Sequence, residues 1–389
     1  MTWGKHIAIA GFGATAIAFG PARMGFGLFL PELRQAFSLS TSLAGAIASA
    51  GLLAFLLALP LTAWMVRRAN PKLPVIAGTL SASIGFLAVA TATGPLQLLA
   101  GILFASTSAG LCWAPFNGAA ERFISQKSQA SVLAVIASGT SVGILFAAVL
   151  ALCVTYEIFS WRYAWGAFSM AALLIALAAF FEMPSPSQQQ TTGPEGRFPR
   201  LARYNAAPLY LAALAFGATN AVYFSFAADR VVAAGGLPGL REGAAAAVVF
   251  LSYGAFGILG TLTGRAEAAT GMGWLLRMVF AAAALSLLLI AFAPQSWSSV
   301  ILSAGLQGAA LMAASSIFSL WSLRLFPGNG TTGFLAALVG LAAGSVLGPA
   351  IAGLLEQPVG PQGMFLIASV PVLLLALWPG KLVSIKGLP

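Results

Sequence analysis

Long apolar segments separated by short polar breaks make up almost the whole chain. Charged residues, prolines and glycines divide it into twelve such segments, each near the length of about 20 residues that a membrane-spanning helix needs. The pattern predicts an all-α integral membrane protein with 12 transmembrane helices. Their expected limits are 7–31, 41–66, 73–93, 95–120, 129–155, 158–182, 207–229, 243–264, 272–293, 295–323, 331–354 and 362–378.

One longer polar stretch interrupts this series at the middle of the chain. Residues 183–206 are rich in Pro, Ser, Gln and Thr, which is typical of a flexible, solvated linker. Six apolar segments lie on each side of it. We therefore expect an N-terminal six-helix bundle at 1–182, a cytoplasmic linker, and a C-terminal six-helix bundle at 207–389 that ends in a short cytoplasmic tail.

Basic residues are shared unevenly between the two predicted sides of the membrane. Positively charged loops mark the cytoplasmic side, and an even number of helices brings both termini to the same side. We therefore predict a multi-pass protein of a bacterial-type inner membrane with both termini in the cytoplasm. The 14 basic residues assigned to that side, of 19 in the chain, are Lys5, Arg67, Arg68, Lys72, Arg122, Lys127, Arg197, Arg200, Arg203, Arg265, Arg277, Arg324, Lys381 and Lys386.

Composition agrees with a membrane protein and argues against other classes. The chain is 59% hydrophobic and 7% charged, whereas soluble proteins contain about 25% charged residues. Its net charge of +10 is spread over loops rather than interleaved with aromatic residues, so no nucleic-acid partner is expected. His6 is the only histidine, and Cys112 and Cys153 lie in apolar segments, so no metal site, cofactor or intramembrane enzyme is predicted.

The two halves of the chain resemble each other in sequence. Aligning the Ala-Phe-Gly triplets that begin at Ala18 and Ala215 pairs Arg23 with Asn220. Offsets of 197 to 205 residues predict two pseudo-symmetric six-helix bundles of the same topology, as in transporters with a central site. The same register pairs Glu32 with Asp229, and later helices pair Gly139 and Gly143 with Gly344 and Gly348.

Several short motifs resemble those of the major facilitator superfamily, over essentially the whole chain. The loop after the second predicted helix reads Arg67-Arg68-Ala69-Asn70-Pro71-Lys72, a basic motif that lacks the usual Gly and Asp of the family. Gln97 stands where the family usually has an Arg, and Gly344-Ser345-Val346-Leu347-Gly348-Pro349 looks like an antiporter motif. The stretch from Pro21 to Pro31 is similar to the first helix of the YbfB/YjiJ-type branch.

This resemblance implies a secondary active transporter that works by rocking-bundle alternating access. It implies a small-molecule substrate, a monomer embedded in the lipid bilayer, and a cavity lined by the first, fourth, seventh and tenth helices. The sequence leaves open whether transport is coupled to protons. A carboxylate that changes charge at membrane depth is the usual carrier of such coupling, and no Asp or Glu lies in the middle of a predicted helix.

Arg23 is the first candidate for substrate binding, because it is the only ionisable residue in the apolar stretch 7–30. A charge at membrane depth is costly and usually faces a protein interior or a wet cavity. Helical spacing puts Gly20 and Gly27 beside it, where small residues would leave space for an anion. The alternative is that Arg23 reaches the outer interface, or pairs with Glu32 or a backbone carbonyl.

Six polar or aromatic residues on other helices are further candidates for substrate binding. Amides and phenols can orient a solute through hydrogen bonds, and an indole can stack on it. The alternative for each is hydrogen bonding or packing between helices. The candidates are Trp113 and Asn117 on the fourth helix, Asn220 and Tyr223 on the seventh, Tyr253 on the eighth and Gln307 on the tenth.

Two carboxylates and seven other residues are candidates for coupling and gating. Glu32 and Asp229, at the outer ends of their helices, are the coupling candidates, with ordinary interface placement as the alternative. Glycines spaced by four residues let helices pack closely and are predicted to serve as packing sites and pivots. The gating and packing candidates are Arg67, Arg68, Gly139, Gly143, Gly344, Gly348 and Pro349.

Two kinds of transport activity remain open from the sequence. A buried arginine without embedded carboxylates favours a small organic anion as substrate. The Gly348-Pro349 motif favours a multidrug-type efflux antiporter for apolar or cationic compounds.

Overall fold

The computed structural model consists of α-helices arranged in two compact units, Met1–Glu195 and Gly196–Pro389. Most of the predicted linker, 183–206, lies outside the residues that the structure describes. The described residues are 2–39, 41–68, 70–183, 206–241 and 244–378.

The first unit contains nine helices in its described part, because two of its six membrane spans are interrupted and one short helix follows the first span. The helices are α1 (Thr2–Phe19), α2 (Pro21–Leu28), α3 (Leu30–Phe37), α4 (Thr41–Arg68), α5 (Lys72–Ala90), α6 (Pro95–Cys112), α7 (Pro115–Phe123), α8 (Gln126–Thr155) and α9 (Trp161–Glu182).

The second unit contains six helices and one 3-10 turn in its described part. Its last helix carries two spans that meet at Gly360, whose φ of 71° is not helical. The elements are α10 (Ala207–Ala233), α11 (Ala245–Gly257), the 3-10 turn Ile258–Leu262, α12 (Thr263–Thr270), α13 (Met272–Phe292), α14 (Trp297–Leu325) and α15 (Gly330–Ala376).

The prediction of a 12-helix membrane protein is confirmed. Among the described residues, 11 helical segments are long and apolar enough to cross a membrane. A shorter apolar stretch, Ala50–Val66, lies within α4 and supplies the remaining span. The two six-helix bundles use equivalent helix pairs: α1 packs on α8 as α10 packs on α15, and α4 packs on α6 as α11 packs on α14.

The first and fourth predicted segments are membrane spans that each contain an internal break. The first span bends at Gly20, because Pro21 disfavours a helical conformation at the residue before it. The fourth span breaks at Trp113 and Ala114, because Pro115 has no N–H to donate to the carbonyl of the previous turn. The eighth segment also extends beyond its predicted end, to Thr270.

Glycines at the main helix crossing of each unit allow backbone to touch backbone. In the first unit, a Cβ at Gly143 would collide with the carbonyl group of Ala16 on α1. In the second unit, a Cβ at Gly348 would collide with the carbonyl group of Ala218 on α10. Gly139 and Gly344 face Phe12 and Leu214 in the same way. The four predicted packing glycines therefore lie at two equivalent crossings.

These crossings correct the predicted register of the internal repeat. Ala218 takes the place of Ala16, which sets the first and seventh spans 202 residues apart rather than 197. Thr15 confirms this register. Its hydroxyl bonds to the carbonyl of Ile136 on α8. Gly217, which lies 202 residues after Thr15, packs against the carbonyl of Leu341 at the equivalent place on α15. The offset of 202 carries Arg23 to Ser225 instead of Asn220, and Glu32 to Ala234 instead of Asp229.

Serine hydroxyls join neighbouring helices in each unit through reciprocal hydrogen bonds. In the first unit, Ser83 Oγ donates to the carbonyl of Ser169 over 2.9 Å, and Ser169 Oγ donates to the carbonyl of Ser83 over 2.8 Å. In the second unit, Ser286 and Ser303 exchange two bonds of 2.7 Å. Such bonds satisfy buried hydroxyls and fix the rotation of one helix against the next.

Candidate functional site

Arg23 lies among aromatic side chains in the first unit. Its Cζ atom is 5.9 Å from the ring centre of Phe19 and 5.4 Å from that of Phe55. The Phe19 ring in turn meets Trp113 edge to face at 4.8 Å between ring centres. We call these four residues the Arg23 cluster. It brings together Arg23 and Trp113, two of the predicted site residues, from the first and fourth spans.

The local breaks in the helices build this cluster. The bend at Gly20 starts the short helix α2, which carries Arg23, directly after Phe19 at the end of α1. The break before Pro115 places Trp113 at the junction of α6 and α7. Gly20 was expected to leave space beside Arg23, but it packs tightly against the backbone of Gly143. At Gly27, nothing would lie within 4 Å of an added Cβ.

A positive charge held against aromatic rings is stabilised by the negative potential of the ring faces. Each such contact contributes about 0.5–2 kcal/mol, more where water is excluded. Phe19 and Phe55 are both buried, at 4% and 3% exposure, and Arg23 itself is partly buried. The Arg23 cluster thus holds a guanidinium against buried aromatic rings inside the first unit.

Asn117 lies one helical turn beyond Trp113, on α7, and is completely buried. Trp113 is 5% exposed. The predicted common stripe of these two residues with the preceding turns of the fourth helix is interrupted by the break at Pro115. Both side chains nevertheless remain in the interior of the first unit.

A hydrogen-bonded network joins three of the predicted site residues in the second unit. The hydroxyl of Tyr253 on α11 donates to Oδ1 of Asn220 on α10 over 2.9 Å. Nε2 of Gln307 on α14 donates to the same oxygen over 3.2 Å. The three residues are 1%, 4% and 0% exposed, so the network is buried. We call it the Asn220 network.

Tyr223 takes part in a separate set of bonds in the second unit. Its hydroxyl lies 3.1 Å from Oγ of Ser303, which belongs to the serine pair between α13 and α14. Its ring centre is 6.3 Å from that of Tyr253. Tyr223 therefore borders the Asn220 network, but its hydroxyl bonds to helix-joining serines.

The two predicted coupling residues lie in different environments. Glu32 is on α3, beyond the first membrane span, and is partly buried; its Oε2 is buried and has no hydrogen-bond partner. This burial raises the pKa of the Glu32 carboxyl above its usual value, although a bond to its own backbone opposes the shift. Asp229 is exposed near the end of α10.

The predicted gating residues are partly described. Arg67 is placed in α4, while its side chain lies outside the described part of the chain. Arg68, the last residue of α4, has its guanidinium 5.3 Å from the ring centre of exposed Trp64. Pro349 lies within α15, directly after the crossing glycine Gly348.

Several residues around these groups were not singled out from the sequence. Phe55 is one of 27 phenylalanines, and no charge or repeat marks it. Phe224 lies 4.7 Å from Tyr253 between ring centres and flanks the Asn220 network. Ser286 and Ser303 could have been suspected only as polar residues in apolar segments. Among the described residues, no group of three or more His, Cys, Asp or Glu could hold a metal ion.

Solved structures of membrane transporters are similar to the chain over nearly its whole length. One is the Major Facilitator Superfamily transporter FucP in the outward conformation, at a TM-score of 0.68 and 17% identity, covering 97% of this chain and 99% of that one. Another is a variant of the E. coli fucose:proton symporter FucP, at a TM-score of 0.66 and 15% identity, covering 96% and 97%. At these identities the likeness concerns the fold.

Sequence comparison gives the family. No curated protein matches the chain significantly. The family model of the Major Facilitator Superfamily matches residues 11–281, which is more than half of the chain and extends across both units. This chain therefore belongs to the Major Facilitator Superfamily, a family of membrane transporters rather than enzymes.

Proposed function

We propose that this protein is a secondary active transporter that moves a small organic anion across the bacterial inner membrane. The observation that carries the proposal is the Arg23 cluster, a full positive charge held among buried aromatic rings within a membrane span. The transported molecule would cross by rocking of the two six-helix bundles, as in other transporters built from structural repeats.

An anion is the substrate that this cluster fits best. Removing a guanidinium from water is costly, and contacts with aromatic rings return only about 0.5–2 kcal/mol each. A carboxylate or phosphate would offset more, because it pairs with the planar guanidinium through two parallel charge-assisted hydrogen bonds. Trp113 and Phe55 add apolar surface for the organic part of the solute. In this proposal Asn117 also contributes to the substrate site.

The Asn220 network supports a solute that also carries polar groups. Buried amides and phenols that bond to each other present fixed donors and acceptors to a bound molecule. We assign Asn220, Tyr253 and Gln307 to substrate binding on this basis. Tyr223 supplies an aromatic wall beside them, since its hydroxyl bonds to Ser303.

Coupling to protons is part of the proposal, with Glu32 as the first candidate and Asp229 as the second. A carboxyl whose oxygen is buried without a partner, as in Glu32, holds a proton more readily than an exposed one. Asp229 is exposed and has less support.

The proposal also covers the gating residues, the side of the membrane on which the termini lie, the oligomeric state and the branch of the family. The glycine crossings at Gly143 and Gly348 would act as pivots, with Arg67, Arg68 and Pro349 near the gate. Both termini would lie in the cytoplasm, in line with the distribution of basic residues. The protein would act as a monomer, divided into bundles at 1–182 and 207–389 by a linker, and would belong to the YbfB/YjiJ-type branch.

A multidrug-type efflux antiporter for apolar or cationic compounds is the second candidate. The aromatic rings of the Arg23 cluster and the Gly348-Pro349 motif favour it. The charge of Arg23 disfavours cations in the same cluster, because like charges repel strongly where water is excluded.

A thermal-shift screen of the detergent-purified protein tests the proposal. Small carboxylates, choline and neutral sugars would be compared at equal concentration, because a ligand that binds only the folded state raises the melting temperature. We expect carboxylates to stabilise wild type and to lose this effect in Arg23→Ala, with partial recovery in Arg23→Lys. Arg122→Ala removes an exposed arginine of the same unit and serves as the charge-matched control.

The outcomes separate the two candidate functions. Carboxylate stabilisation that survives Arg23→Ala would return Arg23 to a structural role. Stabilisation by choline or apolar amines, unchanged in Arg23→Ala, would favour the efflux antiporter instead. Uptake of the stabilising carboxylate into proteoliposomes would then distinguish a transported solute from a bound inhibitor.

A further inference from the structure

The Asn220 network contains an acceptor that no group in the described part of the chain fills. Oε1 of Gln307 is buried without a hydrogen-bond partner, while Nε2 of the same amide donates to Asn220. Turning the Gln307 amide around would set its oxygen against Oδ1 of Asn220, and two acceptors repel each other. With Oδ1 receiving both the Tyr253 hydroxyl and the Gln307 amide, this arrangement leaves Oε1 open.

An open acceptor at this depth needs a physical explanation. Gln307 is 0% exposed, and a buried polar atom without a partner costs about 1–3 kcal/mol. Buried polar groups without a protein partner are rare and usually meet a water molecule or a ligand. The neighbouring residues of the network are equally buried, so the cost is not relieved by bulk solvent.

The Asn220 amide also has hydrogen-bond donors that the bonds within the network do not use. Both of the network's bonds to Asn220 end on Oδ1, so neither uses the Nδ2 donors of that amide. The network therefore offers one acceptor, on Gln307, and amide donors, on Asn220. A hydroxyl group both donates and accepts a hydrogen bond and can pair with both. An ionised carboxylate only accepts and an ammonium only donates, so each could satisfy one side alone.

We infer that the Asn220 network binds a hydroxyl group of the transported solute. The inference rests on the proposed function and narrows its substrate class to hydroxylated organic anions, such as hydroxy acids. The solute hydroxyl donates to Oε1 of Gln307 and accepts from Nδ2 of Asn220. A solute that lacks this hydroxyl leaves both groups unpaired in a closed site and binds more weakly.

Matched sets of probes of equal chain length test this inference. One set is glycerate, propionate and glycerol; the other is gluconate, hexanoate and sorbitol. Each set contains a hydroxylated anion, the same anion without its chain hydroxyls, and a neutral polyol. Apparent affinities are taken from thermal shifts of the purified full-length protein across a concentration series. We expect the hydroxylated anion of at least one set to bind wild type about tenfold more tightly than its deoxy partner.

Variants of Gln307 then test whether this residue causes the difference in affinity between hydroxylated and deoxy anions. Gln307→Met keeps the length of the side chain but removes its polar atoms, and should lower the affinity for the hydroxylated anion about tenfold while sparing the deoxy anion. Gln97→Met is the matched control, because the Gln97 amide donates to Ala88 and Thr91 at the end of α5 in the first unit. Gln307→Asn, which withdraws the acceptor without removing polarity, replaces Gln307→Met if that variant does not fold.

Each outcome supports or overturns the inference separately from the proposed function. Equal affinities of hydroxylated and deoxy anions in wild type would overturn it and would indicate that water fills the acceptor. An equal loss of affinity for the hydroxylated and deoxy anions in the Gln307 variant would also overturn it, because this would indicate a structural role for Gln307. If only the polyols bind, and Gln307→Met weakens them, the hydroxyl site stands and the anion proposal fails. Binding of none of the six probes would overturn the inference.

Discussion

The hydroxyl of Tyr253 and the amide oxygen of Asn220 are joined by a buried hydrogen bond of 2.9 Å that links α11 to α10. Because a phenol can donate only one hydrogen, this bond helps to orient the Asn220 amide. The orientation decides which groups of the Asn220 network are left for a solute. Tyr253 thus positions the Asn220 amide in addition to its proposed part in the substrate site.

Removing the Tyr253 hydroxyl should therefore destabilise the second unit. We expect Tyr253→Phe to lower the free energy of unfolding by about 0.5–1.5 kcal/mol, because Asn220 loses a buried donor while the ring is kept. Thermal unfolding in detergent measures the change. Tyr163→Phe is the control, since Tyr163 is 75% exposed. Equal melting temperatures for both variants would show that the buried bond contributes no net stability.

Phe55 should affect anion binding through its contact with Arg23. Phe55→Leu keeps most of the apolar volume but removes a ring whose centre lies 5.4 Å from the guanidinium carbon. We expect the affinity for the best-stabilising carboxylate to fall about two- to fivefold, as the loss of one cation–π contact implies. Titration of the thermal shift measures it. Phe104→Leu, at a 52% exposed position, should leave the affinity unchanged. An unchanged affinity in Phe55→Leu would limit that ring to packing.

The glycine crossings should tolerate no side chain. We expect Gly143→Ala to destabilise the protein by about 1–3 kcal/mol, because its Cβ would meet the backbone of Ala16 and force the helices apart. Gly344→Ala should act in the same way in the second unit. Gly166→Ala and Gly353→Ala are matched controls, because nothing lies within 4 Å of a Cβ at either position. If the melting temperature falls equally in all four variants, the close approach of the helices at the crossing is not the cause of the destabilisation.

Hydropathy was enough to predict the spans but not their breaks or their pairing. The number and length of apolar segments follow from bilayer thickness, so sequence alone could give the twelve-helix architecture. Pro21 causes the bend at Gly20. Whether a proline bends a helix depends on how the surrounding helix adapts, so hydropathy could not predict this bend. The register of the repeat was wrong because Ala, Phe and Gly are abundant, whereas the crossing at Ala16 and Ala218 fixes it geometrically.

The candidate residues were found as polar exceptions in apolar helices, yet their contacts required the fold. Arg23 was recognisable because a charge at membrane depth is rare. The argument that Asn220 is its repeat partner does not hold in the corrected register. Asn220 and Gln307 lie on helices far apart in sequence, and only the packing of α10 against α14 brings their amides together. Phe55 carried no sequence signal.

Glu32 provides a titratable group whose burial makes a prediction about pH. Burial raises the pKa of its carboxyl above the usual value of about 4.3, so the folded protein holds the proton more tightly than the unfolded chain. The stability that this proton contributes is complete below the unfolded pKa. It is lost as the pH rises through the higher folded pKa, where the folded state must carry a partly buried charge.

Glu32→Gln should remove this dependence, because its side chain stays neutral at every pH. We expect the melting temperature of wild type, relative to Glu32→Gln, to decrease as the pH is raised from about 4 to about 8, since only wild type must ionise a partly buried group. Glu157→Gln, at an exposed turn of the same unit, is the control. A temperature difference that is constant over this range would mean that Glu32 titrates alike in both states. If Glu32 also couples transport, Glu32→Gln should abolish pH-driven accumulation in proteoliposomes while leaving counterflow exchange intact.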